Sequence, residues 1–223
     1  MDTLSLVVDA LAPIAGRHIV DIGCGPGAMS AALAGRGARI TGIDPGEAAI
    51  AAARRRAPDC AFEVCSAESL PFADGTFDGA VILNALHHVP DPRAALEEAA
   101  RVVSPGGRIV VVEPLAEGSF FAALKPIEDE TAIRAAAQGA IAAAIAAGAF
   151  RCVSDTTFVR REAFADRAAF LERVAAVDPA RHTAIRDNAA AIAAAFAASA
   201  EIDADGRHAL SQPLRAHVLV AAR

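Results

Sequence analysis

The residues best able to do chemistry in this 223-residue chain lie close together near its start, where Val20 to Ser30 reads VDIGCGPGAMS. Gly23, Gly25 and Gly27 alternate with Cys24 and Pro26, two positions after Asp21. Glycine reaches positive φ without steric cost and lets a ligand approach bare backbone. A glycine turn that ends one apolar run and opens a helical pattern is therefore a place to seat a cofactor. Asp44 follows roughly 20 residues on, at the end of the next apolar run, where a carboxylate can accept both hydroxyls of a ribose. Asp is also a strong helix N-cap, so Asp44 has a structural alternative ahead of Pro45.

The loop alone leaves two cofactors open. Gly23-x-Gly25-x-x-Ala28 satisfies the relaxed dinucleotide fingerprint. Three features favour S-adenosylmethionine instead. Asp21 stands where a carboxylate can act near a cationic amino-acid end, Gly27 gives the GxGxG form, and no phosphate has to be cradled. Beyond the fourth apolar run, His87 and His88 are the candidate general bases, since an ordinary imidazole titrates near neutrality. The alternative is that they hold backbone carbonyls in the loop. Phe120, Phe121, Lys125 and Glu128 could meet a substrate or simply pack. Cys24, Cys60, Cys65 and Cys152 form no CxxC pair, so neither a disulfide framework nor a zinc site is expected.

The elements that must position these residues alternate in kind. Strands are expected over His18–Ile22, Arg39–Ile43, Ala61–Cys65, Phe77–Leu83 and Arg108–Glu113, with helices over 27–35, 47–56 and 91–103. Asp91 caps the last of these, with Pro92 at its first position. Such alternation means parallel βαβ units covered on both faces. After Glu113 the rhythm changes. Glu117 to Lys125 reads as a loop or helix edge, Asp129–Gly148 as a long helix, Thr156–Arg161 as a strand, Asp166–Val177 and Arg181–Ser199 as helices, and His217–Ala221 as a closing strand. The fold class is α/β: a Rossmann-like, doubly wound, seven-stranded, mostly parallel sheet. A small helical cap, residues 115–150, is inserted after the fifth strand of a single domain spanning 1–223.

Composition excludes several alternatives. The net charge is −6, and Lys125 is the only lysine among 21 basic residues. With no Trp and no Tyr, a nucleic-acid surface is poorly supplied. The 54% hydrophobic content comes largely from alanine, and no stretch offers the ~20 apolar residues of a membrane span. Asp2 and Asp9 break any signal-peptide pattern, so a cytoplasmic protein is expected.

At this point the chain resembles the class I S-adenosylmethionine-dependent methyltransferases, in particular their small-molecule branch. The resemblance covers Gly16 to Pro114. It rests on VDIGCGPG, GIDP at 42–45, SAESLPFADGTFD at 66–78, NALHHVPDP at 84–92 and RVVSPGGRIVVVEP at 101–114. It implies that Gly23, Cys24, Gly25 and Gly27, with Asp21, line the methionine part of the cofactor. Asp44 would hold the ribose, and Pro45, Ser66, Ala67 and Glu68 would lie by the adenine. Asn84 would place its backbone carbonyl near the ammonium. Ser66 departs from the family's usual Asp, which implies looser cofactor binding, because a neutral acceptor is weaker. The partner implied is a small-molecule methyl acceptor, with no nucleic acid and no membrane. The short leader would favour a homodimer that completes the site. Two other classes remain in view: a non-catalytic S-adenosylmethionine-binding subunit, and an NAD(P)-dependent oxidoreductase, whose commonest short-chain form needs the Tyr this chain lacks.

Overall fold

In the computed structural model, residues 2–178 and 180–222 are described. The first helix, α1 (Thr3–Leu11), is capped by Asp2, whose carboxylate accepts the Ser5 N–H at 2.9 Å. Then come β1 (His18–Ile22), α2 (Ala28–Ala34), β2 (Arg39–Asp44), α3 (Glu47–Arg56), β3 (Ala61–Val64) and β4 (Phe77–Leu83). A 3-10 turn over Leu86–His88 leads to α4 (Pro92–Val102) and β5 (Val103–Pro114). The chain continues with α5 (Ser119–Leu124), α6 (Thr131–Ala146), β6 (Phe150–Phe164), α7 (Arg167–Ala175), α8 (Arg181–Asp187), α9 (Ala189–Ser199), β7 (Glu201–Ile202) and β8 (His208–Ala221).

The eight-stranded sheet runs in the order β3-β2-β1-β4-β5-β8-β6, and the two-residue β7 pairs antiparallel with β8. Strands β1 to β5 pair in parallel throughout, with Ile22 opposite Ile43 and Ile82, and Leu83 opposite Val112. The strand order reverses between β1 and β4. In an open α/β sheet that switch point is where ligands bind, at the carboxyl ends of the strands. The fold is thus the expected Rossmann-like one, with the short β7 beyond the seven expected strands.

Several boundaries differ from expectation. Strand β5 starts at Val103, because the SPGG turn sits inside the pairing as a bulge: Phe77 opposes Val103, yet Gly79 opposes Arg108. The single helix expected over 181–199 is two, α8 and α9, interrupted at Asn188, whose Nδ2 donates to the Pro126 carbonyl at 3.1 Å. Asn competes with the helix backbone for such bonds. Strands β6 and β8 run far longer than the segments expected from alternation.

The chain divides into two compact units: 1–113 with 136–156 and 215–223, and 114–135 with 157–214. The stretch 115–150, expected as a cap, is therefore shared between them. The first unit is built around Val20, Ile22, Ile82, Leu96, Ile109, Val111 and Leu219, onto which α6 lays Ala137 and Ile141. The second is built around Phe120, Phe164, Phe170, Val174, Ile192, Phe196 and Leu210. It also buries a polar network in which Arg181 pairs with Glu128 and Glu130, while Arg134 pairs with Glu130 and donates to Gln212.

Candidate cofactor and active site

The glycine loop lies at the carboxyl end of β1. Gly23, Gly25 and Gly27 all hold positive φ, at 72°, 51° and 76°. Two of them are glycine because the loop is packed against its neighbours. A Cβ on Gly23 would fall 2.4 Å from the Ala85 Cβ, and one on Gly27 would fall 2.9 Å from the Ala53 Cβ, far inside the ~3.5–4.0 Å of carbon–carbon contact. Gly25 is different, because a Cβ there would meet nothing within 4 Å. Its bare backbone faces open space, a cradle that a side chain would fill. The loop is tied down by the N–H groups of Gly23 and Cys24, both donating to the Ile43 carbonyl at 2.8 and 2.9 Å.

Asp44, at the end of β2, braces this loop. Its Oδ2 accepts the Gly25 N–H at 2.9 Å and its Oδ1 accepts the Gly46 N–H at 2.8 Å. A carboxylate has about four lone-pair sites, so each oxygen keeps capacity for a ligand hydroxyl. The helix-cap alternative fails, because α3 is capped by Gly46 with no side-chain hydrogen bond; Asp44 instead organises its loop and keeps lone pairs able to hold a diol. Pro45 beside it is exposed.

Asp21 lies beneath the loop. It is 1% exposed, and its Oδ2 accepts the Ser30 Oγ hydroxyl at 2.6 Å. Burial pushes its carboxyl up to about 6, against which the Ser30 hydrogen bond works. Cys24 is likewise buried, between Ile50, Ala53 and Phe62, and burial drives its thiol up. A thiol so held is a packing group rather than a nucleophile.

The Ser66 departure has a local consequence. The Ser66 hydroxyl hydrogen-bonds the Glu68 carboxylate, which also accepts the Asp91 N–H at 3.1 Å. These bonds, led by that from Ser66, hold the Glu68 carboxyl below its ordinary value. A carboxylate two positions on thus stands beside Ser66, while Ala67 is buried in the core of the first unit.

Asn84 follows β4. Its φ is +49°, and its Oδ1 is buried without a hydrogen-bond partner. Such an atom in a native fold asks for an explanation, and a ligand donor at the switch point supplies one. The two histidines are placed differently. His87 is 5% exposed, with Nδ1 bonded to Glu113 at the end of β5. His88 is exposed and rests its ring on His87, with centroids 4.0 Å apart. Sequence reasoning missed Ser30 and Glu113. The signal for Glu113 was a carboxylate ending the apolar run IVVVE, since a charge in such a strand is rarely buried unpaired.

Residues 20–111 match the family described as Methyltransferase domain. Over this stretch the chain is similar to methyltransferases. It is 40% identical over 112 residues to a ubiquinone biosynthesis O-methyltransferase of Alkalilimnicola ehrlichii, an alignment covering 48% of this chain and 45% of the relative. It is 44% identical over 107 residues to a demethylmenaquinone methyltransferase of Clavibacter sepedonicus, covering 47% and 44%. The chain thus spans less than half the length of these curated relatives. Among solved structures, an S-adenosylmethionine-dependent methyltransferase of Thiobacillus denitrificans, in complex with S-adenosylhomocysteine, superposes with a TM-score of 0.61 at 18% identity, covering 98% of this chain and 90% of that one. A methyltransferase structure from Bacillus halodurans gives 0.68 at 16% identity, covering 98% of each chain. At these identities the likeness is one of fold. The matched stretch contains the glycine loop, Asp44, Ser66 to Glu68, Asn84 and both histidines. No helix among the described residues is long and apolar enough to cross a membrane.

Proposed function

We propose that the protein moves the methyl group of S-adenosylmethionine to an O, N or C atom of a small-molecule acceptor. The observation that carries this reading is the cradle in the matched stretch: an open Gly25 backbone braced by Asp44, with a buried Asn84 oxygen that lacks a donor at the end of the neighbouring β4. When bound, S-adenosylmethionine supplies a methyl group on a sulfonium, whose leaving group is neutral. The chain's own task is then alignment and exclusion of water. Asp44 would hold the ribose hydroxyls, and Gly23, Gly25 and Gly27 would line the amino-acid part. Asp21 would act from below through the field of its carboxylate, since its buried oxygens lie under the loop. Ser66 and Ala67, with Glu68, would take the adenine edge.

An acceptor that must lose a proton needs a base within reach. His88 is the exposed imidazole of the pair and takes that role in this reading, with His87 beneath it. The names of the curated relatives point to quinone-type rings as the first acceptors to try.

Calorimetric titration with S-adenosylhomocysteine, and separately with NAD and NADP, tests the reading. Binding of S-adenosylhomocysteine alone, abolished by Asp44→Ala, is the expected result. Binding of a nicotinamide cofactor instead would overturn it. Binding of S-adenosylhomocysteine with no turnover on a panel of phenolic, amine and quinol acceptors would identify a non-catalytic subunit.

A further inference from the structure

Glu113, one residue before the end of β5, is a buried carboxylate, 1% exposed. Its Oε1 accepts the backbone N–H groups of Ala85 and Leu86, both at 2.9 Å. Its Oε2 accepts the His87 N–H at 3.3 Å and bonds His87 Nδ1. A carboxylate has about four lone-pair sites, and donors from one short segment converge on all of them. Few groups could replace it: a glutamine would turn its own N–H toward one of these donors.

The segment so gripped begins at Asn84. Its N–H donates to the Val112 carbonyl at 2.8 Å, one residue before Glu113. Ile22 pairs with Ile82, so Asn84 follows the strand that flanks the one ending in the glycine loop. The next residue, Ala85, is the one that occupies the space above Gly23. Here Asn84 holds a left-handed φ of 49° with its Oδ1 buried and unpartnered. Asn tolerates that conformation better than most residues, but a buried acceptor left without a donor is costly.

We propose that Glu113 is a positioning residue for the ligand: by gathering the amides of 85–87 and His87 Nδ1, it holds Asn84 with its side-chain oxygen presented to an ammonium or amine donor. This rests on the methyltransferase reading for the identity of that donor, the amino group of the cofactor's amino-acid end. The amide oxygen has only lone pairs to offer, and a charged N–H is the donor that gains most from it. The side chain of Asn84 thereby joins the site, in addition to the backbone carbonyl implied by the resemblance.

The test uses the full chain and S-adenosylhomocysteine as probe. Asn84→Gly keeps the left-handed backbone and removes only the amide, and it should weaken binding about tenfold, the loss of one hydrogen bond to a charged group. Asn84→Asp should bind as tightly as the wild type or more so. Glu113→Gln should weaken binding by a similar factor, and in the Asn84→Gly background it should add almost nothing, because both act through one atom. Wild-type affinity in Asn84→Gly would overturn the acceptor role, and additive losses would overturn the positioning role. If Glu113→Gln does not fold, Glu113→Asp carries the same cycle. A wild type that binds no S-adenosylhomocysteine sinks the methyltransferase reading alone. The positioning claim is then judged by nitrogen–proton NMR, where Glu113→Gln must shift the Asn84 backbone and side-chain amide signals. Unmoved Asn84 signals would refute it.

Discussion

Substituting Asp21 by Asn should stabilise the ligand-free protein, and by an amount that depends on pH. The carboxyl is 1% exposed and its ordinary value of 3.8 is raised to about 6, first by burial and, to a smaller degree, by the nearby Asp44 charge. A folded-state value above the unfolded one means that the native state binds the proton more tightly. The associated stability is fully present below about pH 4 and is lost as pH rises through about 6. At ~1.4 kcal/mol per tenfold change, ionising Asp21 inside the fold costs about 3 kcal/mol at pH 8, and roughly half of that at pH 5. Asn keeps an oxygen for the Ser30 hydroxyl but carries no charge to desolvate. Asp21→Asn should therefore raise Tm by roughly 6–12 °C at pH 8 for a chain of this size, with a gain about half as large at pH 5. Melting curves of both proteins across this range, without ligand, are the assay. A gain of the same size at both pH values would refute the claim that desolvation of an ionised Asp21 is what the native state bears. The same substitution should weaken S-adenosylhomocysteine binding, because the negative field beneath the loop is removed.

The loop glycines should separate by mechanism. Gly25→Ala, whose Cβ meets no protein atom, should cost only the ~1 kcal/mol of a left-handed alanine in denaturant unfolding, yet abolish ligand binding. Gly23→Ala, 2.4 Å from Ala85, should cost roughly 2–4 kcal/mol by adding overpacking to that strain, and equal losses in the two variants would contradict the packing. Burial holds His18 and His217 below their ordinary value of 6.5. Their contribution is present above about pH 6.5 and lost as pH falls through the lower folded values, so His217→Gln should flatten the acid limb of the stability curve. In the second unit, Phe170 is fully buried against Phe120, Phe164 and Phe196. Phe170→Ala should cost about 3–5 kcal/mol by chemical denaturation, and a loss under 1 kcal/mol would mean that this cluster is not a core.

The sequence by itself determined the features written in neighbouring residues. Short Val- and Ile-rich runs alternating with helical periods dictate parallel βαβ units, and β1, β2 and β4 stand within a residue of where that alternation puts them. Asp91 caps α4 as its type and its place before Pro92 require. The GxGxG turn is legible because positive φ at three alternate positions leaves few residue types to choose from. What the tertiary structure alone decided are the consequences of contact between distant segments. Only the β2 loop shows that Asp44 braces Gly25, and only burial moves the Asp21 carboxyl. Asn188 splits one periodic helix in two because its amide finds a carbonyl at Pro126, and the long β6 and β8 form where alternation is weak, because backbone pairing does not depend on it. Glu113 was the residue most hidden. Its donors lie 26 to 28 positions earlier in the chain, and the charge at the end of the run IVVVE signals that partners exist without naming the residues that reach it only when β4 and β5 pair.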